Sequence, residues 1–248
     1  ELEVIKSTIG NEKFRREYCL NFLDTLSQPY YSELQQMAGI LSAPKEIRDH
    51  RIACAGIDLG KVRNNSVLTI GVRNEITNTW EIPYYVFWPL GTSYKVITHY
   101  INNLLPVRFP NLMALAVDKT GVGNGIVDFI DYNVPHTIYD IVFSQPMKVD
   151  LVENTINNLE SKFVTYYPQE ILKKEMDEYS REQTEQGRTV YVKGESDDFI
   201  DSFNLCNMAI TKFLQDGPKK QTPFFVGNMN DSLNNKSYRQ KVRNRRWR

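Results

Sequence analysis

The sequence predicts an α/β fold in which a mixed central β-sheet is flanked by helices. Two observations carry this expectation. Three strand-like runs follow one another with only short polar turns between them, and apolar strands then alternate with helical stretches up to one long final helix. A third observation adds chemistry: two apolar strands end in aspartate, and aspartates open the last helix.

In chain order, residues 1–50 read as a polar, helical segment. Phe14, Tyr18, Leu20, Phe22 and Leu23 give it an amphipathic stripe, broken at Pro29. A linker-like stretch through Ser42, Ala43 and Pro44 and a charged run to Arg51 follow. The first four residues, Glu1-Leu2-Glu3-Val4, hold neither an initiator Met nor a signal peptide, so a fragment of a longer protein is expected. The main domain is expected over residues 51–217. Its first strand, residues 52–57, is a short apolar run delivering Asp58 at its end, before Leu59 and Gly60. Residues 66–72 and 80–88, β-branched or aromatic, complete an antiparallel meander. Trp80, Tyr84, Tyr85 and Trp88 are expected to serve core and sheet surface. A helix over 93–105, closed by Pro106, leads to a strand at 112–117 that ends in Asp118.

Residues 121–133 read as loop then helix, 136–143 as a strand, 148–161 as a helix and 162–167 as extended. A helix over 169–179, a polar and mobile stretch at 182–187 and an extended piece at 189–193 come next. The last helix runs from Asp197 to Phe213 and stops before Gly217 and Pro218. This order of elements is that of the RNase H-like fold. Residues 218–248 form a tail in which Lys236, Arg239, Lys241, Arg243, Arg245, Arg246 and Arg248 face only Asp231, suited to phosphates or to an acidic partner surface.

Composition bounds the function. With 248 residues, 41% of them hydrophobic and 24% charged, the chain fits one large soluble domain or one with a small appendage. No apolar run reaches the roughly 18 residues of a membrane span, so no membrane partner is expected. Cys19, Cys54 and Cys206 lie far apart and read as free thiols of a reducing compartment, not as zinc ligands or secreted disulfides. The 30 basic and 30 acidic side chains balance, which argues against a protein that coats nucleic acid.

Asp58, Asp118 and the group Asp197, Asp198 and Asp201 occupy places that such a fold brings together. On a helix, Asp198 and Asp201 (i, i+3) or Asp197 and Asp201 (i, i+4) share a face. Carboxylates clustered without cations repel one another, so an acidic cluster at strand ends is expected to bind metal. Hydrolysis of a phosphodiester must activate water, neutralise a pentacovalent dianion and stabilise a leaving alkoxide. Two divalent ions about 3.5–4 Å apart do all three, and hard oxygen ligands suit Mg²⁺ or Mn²⁺. Lys61 and Lys119, each directly after an acidic motif, are candidate phosphate contacts beside Arg243, Arg245 and Arg246 of the tail.

The segments Ala55-Gly56-Ile57-Asp58-Leu59-Gly60, Ala116-Val117-Asp118-Lys119-Thr120-Gly121-Val122-Gly123 and Ser196-Asp197-Asp198-Phe199-Ile200-Asp201-Ser202 resemble the three acidic motifs of phage and viral large terminase nucleases. Lys13-Phe14-Arg15-Arg16-Glu17-Tyr18 resembles the segment joining the packaging ATPase to the nuclease, which would make residues 1–50 that link. The resemblance covers about residues 10 to 215. It implies a metal-dependent endonuclease that cuts concatemeric double-stranded viral DNA during packaging. Its partners would be DNA, the ATPase domain, the portal and the small terminase subunit. Its place would be the interior of a prokaryotic host cell, transiently at the procapsid portal. It also implies that Asp58 bridges both ions and Asp118 binds one, and that Asp201 and Asp198 are the helix acids. Many terminases carry His near Ser196, which leaves the roles of Asp197, Asp198 and Asp201 open.

Rival readings remain. Gly121-Val122-Gly123-Asn124-Gly125 approximates a dinucleotide fingerprint, but Ile126 stands where its third glycine belongs. An actin- or sugar-kinase-like ATPase would need a second Asp-x-Gly motif. A junction resolvase or transposase-type nuclease would share the metal site, and a non-catalytic DNA- or portal-binding module would lack catalysis. The G-x-x-x-x-G-K-[ST] motif of packaging ATPases does not occur.

Overall fold

A computed structural model of the chain describes residues 28–60, 65–120, 130 and 136–217. The expected helix and loop at 121–133, Lys61, Cys19 and the basic tail lie outside them, Ile130 excepted. The described elements are α1 (Ser32–Ala38), β1 (Ala53–Asp58), β2 (Ser66–Asn74), β3 (Thr79–Trp88), α2 (Tyr94–His99), α3 (Leu105–Arg108), β4 (Leu112–Asp118) and β5 (Thr137–Ile141). After these come α4 (Gln145–Glu160), β6 (Val164–Tyr166), α5 (Glu170–Glu178), β7 (Ser180–Gln183), β8 (Thr189–Val192) and α6 (Asp198–Asp216).

Six strands form one mixed sheet in the order β5-β4-β1-β2-β3-β6. The meander β1-β2-β3 is antiparallel, whereas β4 runs parallel to β1, β5 to β4, and β6 to β3. The antiparallel meander separates this sheet from the all-parallel sheet that carries a dinucleotide site.

Helices cover both faces, so central strands are apolar on both sides. The period of two divides β1 cleanly. Ala53, Ala55 and Ile57 join the core beside α2 and α3, while Cys54 joins the core beneath α4, α5 and α6. In β4, Leu115 and Val117 face the first core, and Ala114 and Ala116 the second. The same alternation puts Asp58 and Asp118 on the α6 side. Trp80, Tyr84 and Trp88 are buried, as core residues should be.

Two elements differ from the sequence expectation, and a third takes a definite form. Pro106 does not end its helix: a π-helical turn, Tyr100–Leu104, connects α2 to α3, which continues to Arg108. A proline ring collides with the carbonyl four residues earlier in a regular helix, and a widened turn relieves that collision. The polar stretch expected to be mobile belongs to the β7–β8 hairpin, with Gly187 at φ 72° in a turn closed by Thr184 N donating to Arg188 O at 2.9 Å. Finally, the segment after Pro29 is not merely polar. Tyr30, Leu34 and Ala38 are buried in the α4–α6 core, and Tyr30 Oη donates to Asn204 Oδ1 at 2.7 Å.

One contact fixes how closely α6 lies on the sheet. A Cβ added at Gly56 would stand 2.6 Å from Ser202 O and 2.5 Å from Leu205 C, and closer still to Cys206 N. These are backbone atoms, which cannot swing away as a flexible side chain would. Gly56→Ala is therefore expected to destabilise the fold by about 3 kcal/mol or more, the upper range for overpacking. A urea titration checks this, and an unchanged midpoint would contradict the close approach.

Candidate functional site

The site is assembled at the carboxyl ends of β1 and β4, beside the amino end of α6. Ile57 is in register with Val117 on neighbouring parallel strands, so the acids that follow them stand side by side. The close Gly56 contact then brings the first turn of α6 over them. Asp58, Asp118, Asp197, Asp198 and Asp201 are each no more than 8% exposed.

Burial and crowding set the electrostatics. Asp58 has its carboxyl pushed well above the usual range, first by desolvation and then by Asp201, Asp118, Asp198 and Asp197 in that order. Asp201 is lifted to about 7 by burial, with Lys148 pulling the other way and Asp197 and Asp118 adding to the rise. A site of this kind favours a cation, and its donors are hard carboxylate oxygens, the set that suits Mg²⁺ or Mn²⁺. The acids converge without forming a closed shell: among the described residues no three His, Cys, Asp or Glu side chains are placed to hold an ion as they stand.

Four of the acids are held by neighbouring groups. Asp118 Oδ1 accepts from Thr120 N at 2.7 Å. Asp198 Oδ2 accepts from Asn65 Nδ2 at 3.0 Å and Asn65 N at 3.3 Å, which ties the start of α6 to the segment entering β2. Asp197, the residue preceding the helix, takes Lys193 Nζ at 2.8 Å on Oδ1 and Lys148 Nζ at 3.6 Å on Oδ2. Lys148 also lies 3.5 Å from Asp201 Oδ2. Of the two spacings that the helix allowed, Asp197 and Asp201 share the lysine, while Asp198 turns to Asn65. Lys119 pairs with Asp140 at 3.2 Å. Lys61, Arg243, Arg245 and Arg246 lie outside the described residues.

Sequence reasoning missed Glu175 and Lys148. Glu175 of α5 is buried, and its Oε2 accepts from Ile200 N at 2.8 Å, satisfying a free N–H in the first turn of α6. Among the described residues its Oε1 has no hydrogen-bond partner. Burial lifts the Glu175 carboxyl to about 7, against the opposing pull of the Ile200 N–H and the Ser196 hydroxyl. The signal was available: Glu175 interrupts the apolar stripe of Leu172 and Met176 at helical spacing. Lys148 carried no comparable mark, because a lysine in the first turn of a helix reads as a solvated side chain.

No model of a known protein family and no curated protein matches the sequence. Solved structures do match its fold. The large terminase nuclease from thermophilic phage G20c with bound magnesium superposes with a TM-score of 0.59 at 21% identity, over 72% of this chain and 95% of that one. That nuclease has also been solved with bound cobalt and with bound zinc. The Thermus phage P74-26 large terminase nuclease domain gives 0.58 at 18% identity, over 73% and 94%. The HK97 bacteriophage large terminase gives 0.55 at 14% identity, over 75% of this chain and 44% of that one. The fold expected from the element order is thereby established.

Glu175 generates a pH prediction. Its carboxyl holds its proton more tightly in the folded chain, about 7 against an ordinary 4.5, so its contribution to stability is full below pH 4.5 and is lost as pH rises through 7. The loss is at most about 3 kcal/mol. Denaturant titrations in chelator should show Glu175→Gln losing less stability than the parent between pH 5 and 7. Parallel curves would refute the assignment.

Proposed function

From a chain that folds as large terminase nuclease domains do, we propose a metal-dependent endonuclease that hydrolyses double-stranded DNA. The observation that carries this reading is the burial of Asp58, Asp118, Asp198 and Asp201, from three separate elements, at one end of the sheet. Nothing in packing requires four acids there, and their mutual repulsion works against the fold. The G20c nuclease of similar fold, solved with bound divalent metals, supports the same reading.

Two Mg²⁺ or Mn²⁺ ions would be held by Asp58, Asp118, Asp198 and Asp201. Bound there, they would supply an activated water and neutralise charge on the phosphate. The chain's own residues supply position. Thr120 N fixes Asp118, Asn65 fixes Asp198, and Glu175 fixes the helix turn that bears Asp198 and Asp201. Burial strengthens each charge interaction by excluding water. We place the activity in packaging: cutting concatemeric viral DNA inside the host cell, transiently at the portal, with a packaging ATPase domain and a small terminase subunit as partners. No helix among the described residues is long and apolar enough to cross a membrane.

Cleavage of supercoiled plasmid in Mn²⁺, Mg²⁺ or EDTA tests the proposal. Nicking is expected with either metal and not with EDTA. Asp58→Asn and Asp118→Asn should each lower the rate by more than about 10²-fold, beyond the loss typical of an outer partner to a ligand. A folded protein that cuts under no metal would favour the non-catalytic binding module.

A further inference from the structure

Lys148 is a cation set between two acids of the cluster, and its placement is built. It belongs to the first turn of α4, where Lys148 N donates to Ser144 O at 2.9 Å and the Ser144 side chain caps the helix by accepting from Met147 N. That turn is anchored by Leu151, Val152, Ile156 and Leu159, all buried in the core beneath α6. The Lys148 side chain is only 25% exposed, and its Nζ lies 5.3 Å from the centre of the Phe143 ring. A positive side chain in the first turn of a helix opposes the helix dipole, a cost offset by the acids it faces and by the Phe143 ring. Those acids are Asp197 and Asp201, each approached through Oδ2.

We propose that Lys148 is a resident counter-cation, holding Asp201 in the absence of metal and giving up that carboxylate when a divalent ion binds. The inference rests on the nuclease reading above and adds to it a competition for one oxygen pair. Lys148 and a metal ion both need Asp201, and two cations cannot share a small buried site without repulsion. Asp197 makes the exchange possible. It sits outside the four proposed ligands and already holds Lys193, so the displaced Lys148 keeps a carboxylate within reach. Lys148 is thus a positioning residue that sets metal affinity and steadies the metal-free fold.

Calorimetric Mn²⁺ titration and thermal melting in EDTA test this with Lys148→Met, which is unbranched and one atom shorter and removes the charge. Expected are a Mn²⁺ Kd lowered by about tenfold, equivalent to roughly 1.4 kcal/mol, and a lower Tm in EDTA that Mn²⁺ restores. Lys148→Arg should bind Mn²⁺ as the parent does. If Lys148→Met does not fold, acetylation of the parent protein gives the answer: Lys148 should react faster with Mg²⁺ present than in EDTA. Equal or weaker Mn²⁺ affinity in a folded Lys148→Met, or a Lys148 reactivity indifferent to metal, overturns the inference and leaves the nuclease reading intact. A parent protein that binds no divalent ion overturns both.

Discussion

Strand β1 and helix α6 meet backbone to backbone across Gly56, and this contact governs both the packing and the chemistry of the molecule. With any side chain at that position the helix would stand away from the sheet, because Ser202, Leu205 and Cys206 present main-chain atoms there. Close approach lets the Thr69 and Ser202 hydroxyls hydrogen-bond at 2.7 Å and buries Cys54 and Cys206 as free thiols. One turn away, it presses Asp198 and Asp201 onto the strand ends that carry Asp58 and Asp118. The stable core and the strained cluster are consequences of one geometry.

That geometry concentrates negative charge where water is scarce. A buried carboxylate without a partner costs several kcal/mol, and here each acid raises the cost of its neighbours. The surrounding structure answers with fixed dipoles and cations: Thr120 N at Asp118, Asn65 at Asp198, Lys193 and Lys148 at Asp197. Glu175 adds a sixth buried acid behind the same helix turn, so the fold gives up stability to hold that turn in place. Arrangements that oppose stability in this way are characteristic of functional sites.

Much of this was legible in the chain. Asp58 and Asp118 end runs whose alternation and apolarity define buried strands, and the meander followed by alternating helices pointed to the mixed sheet. The acids of 197–201 were recognised as a group, but spacing alone left two pairings open. The choice depended on Lys148 and Asn65, residues far away in sequence that carry no local periodic signal. The entry segment looked polar because its average hides the buried apolar side chains of Tyr30, Leu34 and Ala38. Pro106 misled for a different reason: proline forbids a regular helix, and a π-helical turn is the exception that tolerates it. Glu175 was hidden by the ordinary rule that glutamate belongs on the surface of a helix.

The central claim is that the carboxyl ends of β1 and β4 and the start of α6 form one divalent-metal site. Anomalous X-ray scattering from crystals soaked in Mn²⁺ addresses it most directly. The account predicts Mn²⁺ bound by carboxylate oxygens of Asp58 and Asp118, with Asp201 or Asp198 completing the contact from the helix. Manganese found only on surface acids, with the Asp58 carboxyl ligating nothing, would contradict it.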